Sequence, residues 1–254
     1  MTIYKYDGTI MGIFSCIFES FTSHETPMVI TDEDVQLCFG DDIKEIETDE
    51  KKYTRALRAF ATYAGEGALH DLYYAFRSGE KNKHLVIFDF IRKTLERRAN
   101  ISSDFSCAEV MRFYDLIKRI GTEIHRMKGF VRFSLAVNGV YYTHFSTDNN
   151  IVDLLLPHFA ARFSSQPFAL HDVKRNIIAM YNGKERRVVK LTEPLSVELE
   201  NSEETFTELW QTYYRKVTIN ERLSERSMRG YMPVRYHEHL SEKTIKIKDS
   251  ISDF

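Results

Sequence analysis

The stretch "IHRMKGFVRFSLAVNGVYYTHF", Ile124–Phe145, joins two kinds of periodicity. Upstream, Val110, Tyr114, Ile117, Gly121 and Ile124 recur at steps of four, three, four and three, which is the apolar stripe of a helix. Downstream, Asn138-Gly139 separates two runs of β-branched and aromatic residues, the signal of a β-hairpin. Gly129 after Lys128 predicts the helix stop. A helix that feeds straight into a hairpin predicts an α+β fold: a helical N-terminal half, then an antiparallel sheet of hairpins with packed helices. With a two-residue turn, Val137 faces Val140, Leu135 faces Tyr142 and Phe133 faces His144. These residues and Val131 then form an apolar face on which His144 is a core histidine. Phe130, Arg132, Ser134, Ala136, Tyr141, Thr143 and Phe145 take the other face. A slip of one residue would reverse every assignment.

The chain on either side fits one α+β domain over residues 1–254. "IYKYDGTIMGI" (3–13) reads as strand and turn, and "GIFSCIFESF" (12–21) as a short helix or a buried run. Residues 24–52 are acidic and broken by Pro27 and Gly40, a connector with one or two short strands. The helical subregion covers about 53–128, with Tyr53, Leu57, Phe60 and Tyr63 or Ala64 on one stripe. The sheet subregion covers about 129–200. Within it a helix from near Asn149 ends before Pro167, with a break or kink at Pro157. "FALHDVKRNIIAMYNGKERRVVKL" (168–191) supplies two or three more strands, with Asn182-Gly183 as a turn. An amphipathic helix over 202–219 turns Phe206, Leu209, Trp210, Tyr213 and Val217 one way, with Asn201 and Glu204 as its capping box. A basic, aromatic segment runs to about residue 240, and the polar tail after it frays.

Composition bounds the function. Of 254 residues, 43% are hydrophobic and 28% charged, the balance of a globular protein with a real core. A net charge of −2 speaks against a protein coated in basic surface. The distribution is uneven: residues 1–60 hold 12 acidic and 6 basic side chains, a balance of −6, while residues 107–190 hold 7 and 13, a balance of +6. One basic face is therefore possible on a near-neutral molecule. Cys16, Cys38 and Cys107 form no C-x-x-C pair, so neither a zinc ribbon nor a disulfide framework is suggested. A reducing cytoplasm is the simplest location, with no membrane span.

Several chemistries lack their motifs. There is no G-x-x-x-x-G-K-[ST] loop to cradle phosphate, no G-x-S-x-G nucleophile elbow, and no H-x-E with P-C-x-x-C for a zinc deaminase. No metal site and no cofactor are expected. The positive signal is basic residues interleaved with aromatics. His125, Arg126, Lys128 and Arg132 gather where helix meets strand, and His158 and Arg162 lie one helical turn apart. Lys174, Arg175, Arg235 and Tyr236 complete a candidate nucleic-acid surface, in which Arg and Lys hold phosphates and Phe130, Tyr141 or Tyr236 stacks on a base. Lys and Arg at a helix C-terminus also suit the helix dipole without any ligand. For catalysis the candidates are His125, His171 and Asp172 as acid or base. If 168–172 is a strand, His171 and Asp172 point to opposite faces and form no dyad.

The blocks "RIGTEIHRMKGFVRF" (119–133), "LPHFAARFSSQPFALHDVKR" (156–175) and "MPVRYHEHL" (232–240) resemble an uncharacterised bacterial family described as DNA-metabolism or DNA-repair proteins. "YDGTIMGIFSCIFESF" (6–21) is similar to the same family's start. The resemblance implies an accessory nucleic-acid-binding protein, encoded beside a radical-SAM DNA modification or repair protein and related to domains fused to uracil-DNA glycosylases. DNA and the radical-SAM protein are the partners it implies, and it supplies no catalytic residue. Two alternatives stand beside it: a nucleic-acid-processing enzyme using His/Asp acid–base chemistry, and a protein-interaction adaptor with no direct DNA contact.

Overall fold

The computed structural model describes residues 1–34, 39–193, 195–200, 202–218 and 224–240. The chain folds as two compact units, Met1–Gly121 and Thr122–Phe254. The architecture is α+β, with helices dominating the first half.

The first unit is not purely helical. Strand β1 (Thr2–Lys5) lies between β2 (Val29–Thr31) and β3 (Asp42–Glu45), and both pairings are parallel. The acidic connector thus supplies two strands. Asp7-Gly8 turns the chain from β1 into a helix, as the strand, turn and short-helix reading of 3–21 expects: α1 (Ile10–Ser23) starts at Thr9, whose side chain accepts from the Gly12 N–H. Gly12 is packed so closely that a Cβ there would collide with Asp7 Oδ1. Helix α2 (Glu50–Ala64) starts at Asp49, which accepts from the Lys52 N–H at 2.7 Å. Helices α3 (Glu66–Phe76) and α4 (Lys83–Arg97) follow, and α5 (Ala108–Phe130) continues into the second unit. Phe14, Phe60, Phe90 and Phe113 are fully buried at the centre, with Phe90 and Phe113 stacked at 3.9 Å. Cys16 is buried among them, which pushes its thiol up to about 12.

Helix α5 does not stop at Lys128; it runs through Gly129 to Phe130. Glycine ends a helix by adopting a left-handed conformation, and Gly129 is not among the glycines with positive φ. Next come β4 (Ser134–Leu135), β5 (Tyr141–Phe145), α6 (Val152–Phe163), β6 (Phe168–Asp172), β7 (Ile177–Tyr181) and β8 (Arg186–Lys190). Helix α6 is continuous across Pro157, which sits near the end of its second turn. The sheet order is β4-β5-β6-β7-β8. Three pairings are antiparallel, as a sheet of hairpins requires, but β5 and β6 are parallel. They can be parallel because α6 carries the chain back between them. The sheet is therefore mixed.

The first hairpin is slipped by one residue from the two-residue reading. Ser134 pairs with Tyr142 and Leu135 with Tyr141, while the Ala136 N–H donates to Val140 O at 3.0 Å. The loop has three residues, Val137-Asn138-Gly139, and Gly139 takes φ +78°. This is the three-residue hairpin with a left-handed glycine, which Asn-Gly serves as well as the two-residue turn. One face of the sheet packs on α6. There Phe145, Phe159 and Phe168 are buried, and Phe133 lies edge-on to Phe159 and Phe168 at 5.2 and 5.7 Å. Each such ring contributes about 2 kcal/mol by leaving water. The slip keeps Phe133 inside but moves Tyr142 and His144 to the opposite face.

Helix α7 (Ser202–Val217) turns the expected stripe outward: Phe206, Leu209, Tyr213 and Val217 are exposed. Asn201 of the expected capping box and the tail beyond Leu240 lie outside the described residues. Helix α8 (Glu225–Tyr231) and a 3₁₀ turn (Val234–His239) complete the second unit. Among the described residues, no helix is long and apolar enough to cross a membrane.

Candidate functional site

The pairing of β5 with β6 and of β6 with β7 decides which side chains share the second unit's open face. Partners in register point the same way. Tyr142 stands opposite Ala169, His144 opposite His171, His171 opposite Ile178, and Ala169 opposite Met180. On β8, Arg187 stands opposite Met180, and Val189 opposite Ile178. The same face carries a cleft of about 930 Å³, walled by Tyr142, Ala169, Ile178, Met180, Arg187 and Val189, and closed on one side by residues 195–198. A second cavity of about 420 Å³ adjoins it, lined by Arg132, Tyr142, His144, Trp210 and His239. Tyr142 lines both.

Hydrogen bonds order this face. The Tyr142 hydroxyl lies 2.7 Å from His171 Nδ1, and His171 Nε2 lies 3.4 Å from Asn176 Oδ1. Asn176 sits in the β6–β7 turn at φ +54°, a conformation Asn tolerates better than most residues. Its Nδ2 donates to Leu191 O at 3.0 Å and Glu193 O at 3.4 Å. His144 meets the His239 ring edge-on at 5.1 Å. Burial, and then the neighbouring His239 and His171, hold the His144 pKa below its ordinary value. Burial raises that of the Tyr142 phenol. The Arg132 guanidinium lies 5.1 Å from the Trp210 ring centre, and its Nη1 donates to Gly129 O at 2.6 Å. Three histidines share the region, yet among the described residues no group of three or more His, Cys, Asp or Glu is arranged to hold a metal ion.

Most residues of the expected basic surface have other duties. Asp172 is buried on the α6 side and accepts from the Lys174 N–H at 3.1 Å and from Arg175 Nη1 at 2.8 Å. Arg175 also donates to the carbonyls of Thr147 and Asp148. It is thus a fastener between two loops, with Asp172 as its counter-ion. His171 and Asp172 do take opposite faces. Arg235 pairs with Asp148 at 3.0 Å and lies over the Tyr236 ring. Tyr236 itself is 2% exposed, and its hydroxyl donates to Glu123 at 2.5 Å, so it cannot stack on a base. Phe130 leans on Tyr236, and Tyr141 on Phe163. Arg126 donates to Gly230 O at 3.0 Å.

The other members stay outward or close together. His125, Arg162 and Lys174 are exposed. Burial, with the charges of Lys128 and Arg162, depresses the pKa of His158, so these three groups share one neighbourhood. Glu123, buried at 3% exposure, accepts from the Asp148 and Asn149 N–H groups, from Asn149 Nδ2 and from Tyr236. Glu123, Asn176 and His239 take part in these contacts without having stood out as candidates in the sequence. The first had a visible sign, an acidic residue one step from the apolar stripe of α5.

Residues 81–242, the region that contains this face, match the model of a family described as a domain of unknown function, DUF4130. The chain belongs to the DUF4130 family. That agrees with the expected membership of an uncharacterised family. No curated protein matches the chain. For this member of DUF4130, the matched segment carries the cleft, the Tyr142–His171–Asn176 chain and the Glu123 network.

Proposed function

We propose that this protein is a nucleic-acid-binding protein of DNA metabolism, and that it takes a single strand across the open face of its second unit. The observation that carries this reading is the cleft of about 930 Å³, with apolar walls at Ile178, Met180 and Val189 and an arginine at its edge. Its volume is in the range that receives flat, drug-sized ligands, and a nucleobase fits that description. Tyr142 offers a ring for stacking, Arg132 of the adjoining cavity offers positive charge, and Arg187, paired with Glu185 at 3.1 Å, can exchange that carboxylate for a backbone phosphate. The resemblance of 119–133, 156–175 and 232–240 to DNA-metabolism proteins supports the same setting, beside a radical-SAM partner.

Edge strand β8 supplies an internal control. Arg187 faces the cleft, while Arg186, its chain neighbour, faces the other side. Charges on an edge strand also guard against strand addition, and that role does not depend on the face. Fluorescence anisotropy with a labelled single-stranded oligonucleotide separates the two. Arg187→Ala weakens binding about tenfold, the scale of one charged contact, while Arg186→Ala changes it little. Raising salt from about 50 to 200 mM weakens wild-type binding about tenfold or more. Equal effects at both arginines, or affinity that ignores salt, would refute the reading.

A further inference from the structure

The turn residue Asn176 sets the direction of a proton chain that ends in the cleft. Its Nδ2 is committed as donor to two carbonyls, Leu191 O and Glu193 O. That fixes the amide orientation, so Oδ1 is the atom that faces His171. An oxygen there accepts, so His171 carries its proton on Nε2. Nδ1 is then a bare lone pair, and the Tyr142 hydroxyl 2.7 Å away is the donor. His171 is 4% exposed, whereas Tyr142 is half-buried and lines both cavities. The arrangement is a hydroxyl with a buried base behind it and open space in front, which is the geometry of an activated nucleophile.

We infer that Tyr142 is a nucleophile for phosphodiester cleavage, with His171 as the base that takes its proton. The inference rests on the nucleic-acid reading above and names the chemistry of the same site. Tyr142 Oη bonds to phosphorus as the bond from phosphorus to the leaving ester oxygen breaks. The phenolic proton passes to His171 Nδ1, and the leaving oxygen takes a proton from solvent. Water then attacks the phosphotyrosyl ester and gives up one proton to solvent, its phosphorus–tyrosine bond breaks, and His171 returns the proton to Tyr142. No oxidation occurs. Arg132, at the adjoining cavity with Tyr142, supplies positive charge for the phosphate. Asn176 is a positioning residue that acts through the tautomer of His171.

The test uses the full-length protein with thymidine 5′-monophosphate p-nitrophenyl ester, whose leaving group needs no acid. Release of p-nitrophenolate is followed together with peptide mass spectrometry. The expected result is turnover, with a thymidine-phosphate adduct on the peptide holding Tyr142. Tyr142→Phe, checked for an unchanged melting curve, loses both by about 100-fold or more. Asn176→Asp moves the acid limb of the pH–rate profile upward, because a carboxylate beside Nε2 favours the imidazolium; a merely structural turn residue would alter stability alone. If the wild type binds the oligonucleotide but shows neither adduct nor release above the Tyr142→Phe level, the inference falls and the binding reading stands. Loss of oligonucleotide binding in the wild type takes down both.

Discussion

Glu123 joins three parts of the second unit through one buried carboxylate. Its oxygens accept from the chain after β5 and from Tyr236 of the 3₁₀ turn, at 2.5 to 2.9 Å. Burial first, and then the hydrogen bond to Glu123, raise the pKa of the Tyr236 phenol, so it stays a donor through the neutral range. Removing that one donor in Tyr236→Phe costs about 1–3 kcal/mol, the range for hydrogen bonds to charged groups. Glu123→Ala leaves several donors without their charged acceptor and costs about 4 kcal/mol. Urea denaturation midpoints check both, and a neutral Tyr236→Phe would mean that the 3₁₀ turn is held by packing instead. The position of Glu123 beside the apolar stripe of α5 was legible in the sequence, but its contact with Tyr236 was not: the two are 113 positions apart, and no local pattern encodes such a contact. The partner of Arg175 was hidden for a related reason. A basic residue in a turn advertises charge but not its counter-ion, and here the counter-ion is three residues away on the inner face of β6.

At the scale of elements, what periodicity encodes was readable. The stripe of α5, the strands after it and the Asn138-Gly139 turn are all present. What failed was the loop length, and with it the register, because Asn-Gly serves two- and three-residue loops alike. The error had a functional consequence, since it placed Tyr142 and His144 in the core instead of on the cleft face. Gly139 offers a direct check of the loop. It sits at φ +78°, and beyond its immediate chain neighbours no atom lies within 4 Å of the point a Cβ would occupy, so Gly139→Ala meets no tertiary clash and strains only the backbone. The expected loss is about 1 kcal/mol, read as a drop of a few degrees in melting temperature. An unchanged melting temperature would argue against the left-handed loop residue.

For the whole molecule, the family match and the fold have different boundaries. The matched segment opens at residue 81, two residues before α4. Helix α4 buries Val86, Ile87, Phe88, Phe90 and Ile91 in the first unit's core, against α1, α2 and β2. A fragment of residues 81–242 would bare those side chains to water. We predict that it aggregates while the full chain stays monodisperse in size-exclusion chromatography; a well-behaved fragment would show that α4 needs none of those partners. The parallel pair at the centre of the second sheet also orders the assembly of the chain in time. Asp172 and Ile177 pair across a short turn, but Tyr141 must wait for Phe168, 27 positions later, with α6 laid down between them. Closing the longer loop costs more chain entropy before any contact rewards it. The β6–β7 ribbon can therefore zip from its own turn, whereas the seam that brings Tyr142 to His171 closes only after that crossover, so the reactive pair is a late product of folding.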